Sequence, residues 1–178
     1  MASITIVSGC PGSGKTTLAH RLASLAERGL HLLSDTFYQF PARAIDPATP
    51  AAHQQNTTVI RAIGRAAGSF AEDEYTVFLD GVIGPWFLPV LARELPDSTP
   101  LEYVVLQIEL GQALERVRER QGRGASGTVI RMHQEFAELG LLGRCALDTS
   151  RLSPAEVLDV FLYRRKRGEF IVSRESLL

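Results

Sequence analysis

Residues 9 to 17 read Gly9-Cys10-Pro11-Gly12-Ser13-Gly14-Lys15-Thr16-Thr17 and match the pattern G-x-x-x-x-G-K-[ST]. Such a loop handles phosphate. Its glycines let successive backbone N–H groups turn inward around an anion, and the following helix aims its partially positive N-terminus at the same point. Lys15 adds a mobile full charge, and Thr16 is placed to offer its hydroxyl to Mg2+ held between phosphates. The chain has only two lysines, Lys15 and Lys166, against seventeen arginines, so the lysine of this motif is not a product of a lysine-rich composition. The spacing of Gly9, Gly12 and Gly14 is not G-x-G-x-x-G, which sets a dinucleotide loop aside.

Two carboxylates stand where a phosphate-handling site needs them. Asp35 closes the apolar run Leu32-Leu33-Ser34, and Asp80 closes Val77-Phe78-Leu79. In an open parallel sheet the C-terminal strand ends face the ligand crevice. Asp35 there can accept the proton of an attacking hydroxyl or hold a metal-bound water; its plainer alternative is an Asp capping the next turn. Asp80 reads as a metal-orienting position acting through water. The loop Gly81-Val82-Ile83-Gly84-Pro85-Trp86 is expected to bring backbone N–H groups close to a substrate.

Arg116, Arg118, Arg120 and Arg123 run into the segment Gly124-Ala125-Ser126-Gly127, the composition of a closing lid at about 120–130. Guanidinium groups arriving over a triphosphate would stabilise charge spread over the transferring oxygens. That role is assigned to Arg120 and Arg123, whereas Arg118 reads as a solvated helix residue beside Glu115 and Glu119. Asp148 and Thr149 follow a short strand and are expected to border the nucleotide base. Phe37, Tyr38, Phe40, Trp86 and Phe87 supply aromatic surface for an acceptor pocket, with core packing as the alternative.

The elements that must position these residues alternate strand and helix, which predicts an α/β domain with a parallel sheet. Strands are expected at 3–8, 30–34, 75–80, 102–109 and 145–148. Helices are expected from Lys15 to a stop at Gly29, and over 51–70, 86–95, 112–121, 127–139 and 154–165. Leu18, Leu22 and Leu25 mark the buried face of the first. Val59, Ile60, Ile63, Ala66, Ala67 and Phe70 mark that of the second. Ser153, Pro154 and Glu156 form a helix start of the capping-box type.

The chain has 178 residues, 45% hydrophobic and 22% charged, which suits one domain over 1–178. A net charge of −1 with both signs interspersed argues against a nucleic-acid or anionic-lipid surface. No stretch has the length of a membrane span and no basic leader precedes the first apolar run, so a cytoplasmic protein is expected. Cys10 and Cys145 are expected as reduced thiols, since a cross-link inside the phosphate loop would hamper ligand entry. The four histidines show no metal-ligand spacing.

On the phosphate loop at 9 to 17, Asp35, the stretch 80 to 86, the arginines of 116 to 123 and Asp148-Thr149-Ser150, the chain resembles the P-loop small-molecule kinases. The likeness is to the chloramphenicol phosphotransferase-like group and, more distantly, to shikimate, gluconate and nucleoside monophosphate kinases. It implies a three-layer P-loop NTPase fold with a five-stranded parallel sheet flanked by helices and a small arginine-bearing lid. It also implies ATP and Mg2+ as cofactors and transfer of a γ-phosphoryl to a hydroxyl of a small molecule. Residues 9–17 with Asp148 and Thr149 would bind nucleotide. Lys15, Asp35, Arg120 and Arg123 would act in transfer, and Asp35, Phe37, Gly81, Gly84 and Trp86 would contact the acceptor. Gly-Val-Ile-Gly after Asp80 departs from the triple glycine of shikimate kinases, which disfavours shikimate. The alternatives are a nucleotide-binding switch module and a nucleoside monophosphate kinase.

Overall fold

The computed structural model describes residues 2–121, 126–175 and 177. Five strands, β1 (Ser3–Gly9), β2 (Gly29–Leu33), β3 (Thr76–Asp80), β4 (Leu101–Gln107) and β5 (Ala146–Asp148), form one parallel sheet in the order β2-β3-β1-β4-β5. β1 and β4 are almost wholly buried, polar residues such as Thr5, Ser8 and Glu102 included, because helices cover both faces of the sheet's centre. The chain builds from β1 toward β2 and β3 on one side and toward β4 and β5 on the other. The crevice therefore opens at the C-terminal end of β1, where the connections diverge.

On one face, α1 (Lys15–Leu25) and α7 (Pro154–Lys166) bury Leu18, Leu22, Val157 and Phe161 against Val7, Phe78, Val104 and Leu106. On the other, α3 (His53–Glu72), α4 (Leu88–Ala92) and α6 (Ser126–Glu135) bury Ile60, Ile63, Leu88, Leu91 and Val129 against Ile4, Ile6, Leu79 and Val105. The capping box of α7 forms as its sequence predicts: Ser153 Oγ accepts from the Glu156 N–H, and the Glu156 carboxylate accepts from the Ser153 N–H. A half-buried pair ties α7 to the sheet, with Arg165 donating to Glu102 and to Ser3 Oγ.

Four expectations shift. The helix expected over 86–95 is a 3-10 turn (Pro85–Phe87) followed by the short α4, because the ring of Pro89 cannot continue a helix from Pro85. The helix expected over 127–139 tightens after Glu135, where the Ala137 N–H donates to the Gln134 carbonyl. A four-residue helix, α2 (Ser34–Phe37), follows β2 directly and was not expected, so Asp35 sits in a first helical turn. Leu25 and Phe70, expected in buried stripes, are 64% and 38% exposed at the far ends of theirs. Both cysteines are buried free thiols. No described helix is long and apolar enough to cross a membrane.

Candidate active site

Between β1 and α1 the backbone alone shapes the phosphate loop. Gly9, Gly12 and Gly14 have φ of +138°, +87° and +95°. A Cβ on Gly9 would overlap the Leu106 carbonyl, whereas the space beside Gly14 is open, so the loop is tight beneath and free above. Lys15 folds back across it, its Nζ donating to the Cys10 carbonyl at 3.1 Å. Burial pulls the Lys15 ammonium below the usual lysine range, while the Asp80 charge opposes that shift. From α5 (Leu110–Gln121), Arg116 donates to the Gly12 carbonyl at 3.2 Å and fixes the loop from the side.

Three cavities run along the C-terminal edge of the sheet. One of about 330 Å³ is lined by Ser13, Gly14, Thr17, Arg116, Arg120 and Thr149 among others. The next, about 280 Å³, includes Gly12, Lys15, Thr16, Asp35, Asp80 and Arg120. The largest, about 460 Å³, includes Asp35, Tyr38, Asn56, Trp86, Phe87 and Arg131. Arg120 belongs to the first and second, and Asp35 with Val82 to the second and third. A phosphate region thus lies between two larger chambers, with a cation at one junction and a carboxylate at the other.

The junctions are held from behind. Asp80 is buried at the end of β3, and His31 of β2 meets its Oδ2 at 3.3 Å from the diagonal position on the neighbouring strand. Ser8 in β1 grips the loop after β3 from both sides, its hydroxyl donating to the Ile83 carbonyl at 2.8 Å and accepting from the Ile83 N–H at 3.0 Å. Tyr103 donates to the same carbonyl at 2.8 Å. Burial and the neighbouring Asp35 charge push the Tyr38 phenol up to about 12, so it stays a hydrogen-bond donor at neutral pH. Burial raises the Cys10 thiol too, which keeps it protonated.

The expected site residues divide between these chambers. Pro11, Gly12, Lys15, Thr16, Asp35, Asp80 and Arg120 surround the central one, and Ser13, Gly14, Thr17 and Thr149 the first. Other expected residues line none of the three chambers, Gly9 and Cys10 of the loop among them. Phe37 packs with Phe40 at 5.3 Å and does not line the outer chamber; Tyr38 does. Gly81 lies against Ser34 and Gly84 under the Trp86 indole, so close packing explains their missing side chains and neither lines that chamber. Asp148 is engaged by the Ser150 N–H and hydroxyl at 2.9 and 2.6 Å, which hold its carboxyl below the ordinary range. It borders, with Cys10, a separate hollow beside His133 and Phe136. Arg123 and the heart of the expected lid, 122–125, lie outside the described residues.

His31, Asn56 and Glu135 enter the site without a motif to announce them, whereas Arg131, on the helical segment that follows the arginine-rich stretch, lines the outer chamber as its place in the sequence allowed. His31 had one signal, a polar ring between Leu30 and Leu32 in an apolar strand.

The residues fit a nucleotide phosphate chain. The Ser13 hydroxyl is buried without a partner in the first chamber's wall, and the loop above Gly14 is open. Thr16 and Asp80 share the central chamber, but no group of three or more His, Cys, Asp or Glu among the described residues could hold a metal by itself. A cation here would share its shell with phosphate oxygens and water, the habit of Mg2+.

A family model described as an AAA domain matches residues 5–132. No curated protein matches the chain. Among solved structures, a sugar kinase from Janibacter sp. is 22% identical with a TM-score of 0.68, over 93% of this chain and 95% of that one. The tunicamycin resistance protein of Deinococcus radiodurans is 21% identical with a TM-score of 0.70, over 97% and 99%. Shikimate kinase from Acinetobacter baumannii is 15% identical with a TM-score of 0.61, over 94% and 95%. At those identities the likeness is one of fold. The chain belongs to the AAA domain family, with the phosphate loop and the kinase-like parallel sheet that its own geometry displays.

Proposed function

We propose that the protein is a Mg2+-dependent phosphotransferase that moves the γ-phosphoryl of ATP to a hydroxyl of a small molecule. The observation that carries this reading is Asp35, a carboxylate common to the phosphate chamber and the outer chamber. A hydroxyl lying in the outer chamber would meet a base at the point where it faces the phosphoryl group.

In this reading the loop N–H groups, Lys15 and the hydroxyl of Ser13 hold the phosphate chain, and Thr149 with Arg116 flanks the nucleoside. Thr16 directly, and Asp80 through water, would hold Mg2+, which when bound neutralises phosphate charge. Asp35 accepts the proton of the acceptor hydroxyl as its oxygen bonds to γ-phosphorus and the bond to the β-phosphate bridging oxygen breaks, leaving ADP. Arg120 meets the charge on the equatorial oxygens. His31 keeps Asp80 oriented. Positioning and electrostatics supply most of the rate.

The test is a screen of alcohols with γ-labelled ATP, scoring label in product against ATP consumed. Asp35→Asn should lower transfer by roughly a hundredfold or more while leaving the ATP dissociation constant unchanged. Full turnover by that variant overturns the role given to Asp35. Nucleotide-dependent association with a partner and no phosphorylated product would point to a switch module instead.

A further inference from the structure

The two edges of the sheet are finished differently. β5, at one end of the order, is three residues long, and Arg164 donates to its Ala146 carbonyl at 2.6 Å. A short strand with a guanidinium over its edge offers little to another chain. β2, at the other end, has five residues, Gly29-Leu30-His31-Leu32-Leu33, paired to β3 in unbroken register from Thr76 to Asp80. It holds no proline, lysine, carboxylate or bulge, the devices that blunt an edge.

The ladder fixes which backbone groups of β2 are left over. The Thr76 N–H donates to the Arg28 carbonyl at 2.9 Å, so Arg28, Leu30 and Leu32 turn their polar groups toward β3. Gly29, His31 and Leu33 turn theirs outward, since successive residues of a strand alternate. Two of these outward groups are satisfied within the chain. The Gly29 N–H donates to the Ala26 carbonyl at 3.3 Å, and the Leu33 carbonyl, at the N-cap of α2, starts that helix's hydrogen bonds. The Gly29 carbonyl, both groups of His31 and the Leu33 N–H have no partner among the described residues.

Those groups match one another. In an antiparallel pair related by a two-fold axis at His31, the His31 N–H and carbonyl meet their own copies, and each Leu33 N–H meets a Gly29 carbonyl. The two groups already engaged fall opposite each other, so neither is asked to bond twice. The side chains agree with the same axis. Leu30 and Leu32, both half-buried, would face each other across the seam on one side of the sheet. On the other side Leu33, 43% exposed, would sit beside Gly29 of the second copy, where the Ala23 carbonyl at the end of α1 stands in place of a side chain. A net charge of −1 opposes self-association little.

We infer that the β2 edge is an interaction surface for a second copy of this chain, joined antiparallel about His31 so that two five-stranded sheets become one. Five residues a side make a small interface, so association is reversible and depends on concentration. The paired strand is the one that leads directly into α2 and Asp35.

Sedimentation velocity on the full-length chain tests the state, and amide hydrogen exchange read by fragmentation mass spectrometry tests the surface. The protein should sediment at twice the 19.5 kDa of one chain at about 300 μM and as a single chain at about 1 μM. The His31 and Leu33 amides should exchange about threefold or more slowly at the higher concentration, while those of Leu30 and Leu32, bonded to β3, should not change. Leu33→Pro removes an outward N–H at a residue whose φ of −87° is already near that of proline, and Leu33→Lys places a charge at the seam. Either should raise the dimer dissociation constant about tenfold or more. Should a variant misfold, the wild-type exchange pattern still decides. A chain that stays single at about 300 μM overturns the inference and leaves the edge to a strand of another protein. A dimer whose His31 and Leu33 amides exchange alike at both concentrations overturns it too, since the copies then meet elsewhere.

Discussion

The two ends of the crevice are made of different material. At the phosphate-loop end the wall is a nine-residue stretch of backbone whose shape is set by three glycines at positive φ, braced by Arg116 from α5. At the end proposed for the acceptor the wall is made of side chains on α2, the loop before α3, α3 itself, the loop after β3, and α6. A backbone nest binds any phosphate chain, because every N–H is alike. A wall of side chains from five segments is particular, since each can change alone. The first is a general device and the second a selective one, with Asp35 as the boundary between them.

That division can be broken or sharpened by substitution. Lys15→Met should have the largest effect, lowering kcat/KM on the order of a thousandfold, ~4 kcal/mol in transition-state stabilisation, for every acceptor equally. Transfer assays on two unrelated alcohols check the equality. Gly9→Ala should cost on the order of 3 kcal/mol in folding stability, because the new methyl meets the Leu106 carbonyl at a φ disfavoured for alanine. Urea unfolding measures it, and a loss below ~1 kcal/mol would mean the loop relaxes where it is expected to be rigid.

Trp86→Ala belongs to the selective end. It should raise the acceptor KM about tenfold and leave the ATP dissociation constant alone. Arg116→Gln should do the reverse, weakening ATP about fivefold with no change in acceptor KM. If both variants altered both constants, the two ends would be one coupled unit. The smallest effect concerns acid. Asp148 titrates lower in the folded protein than in the unfolded chain, so its contribution to stability is complete above about pH 4 and fades as pH falls through its folded value. The urea midpoint should therefore drop less between pH 6 and pH 3 in Asp148→Asn than in the wild type.

The sequence made the general end readable and left most of the selective end hidden, for a physical reason. Glycine spacing, the apolar run of β1 and the helix of Leu18 and Leu22 are local signals, and they specify the nest without any knowledge of neighbours. Asp80 was readable because strand ends in a parallel sheet share one edge. His31 was not, because its contact with Asp80 depends on β2 pairing with β3, an order that periodicity does not reveal. Asn56 sits among polar residues at the start of α3, and its unpartnered oxygen is a property of the packed loop at Pro47, invisible in a string of letters. Gly81 and Gly84 looked like openings for a ligand and are instead filled by Ser34 and Trp86. A missing side chain records close approach without saying of what.

Ser8 joins the two ends. Its single hydroxyl moors the turn that carries Val82 and Trp86 onto the very strand that delivers the nest. In the proposed reaction the span from donor phosphate to acceptor oxygen would thereby be inherited from one rigid β-strand, like the fixed gap of a calliper. New chemical tastes can be fitted by re-facing the jaw, with no need to reset the gauge.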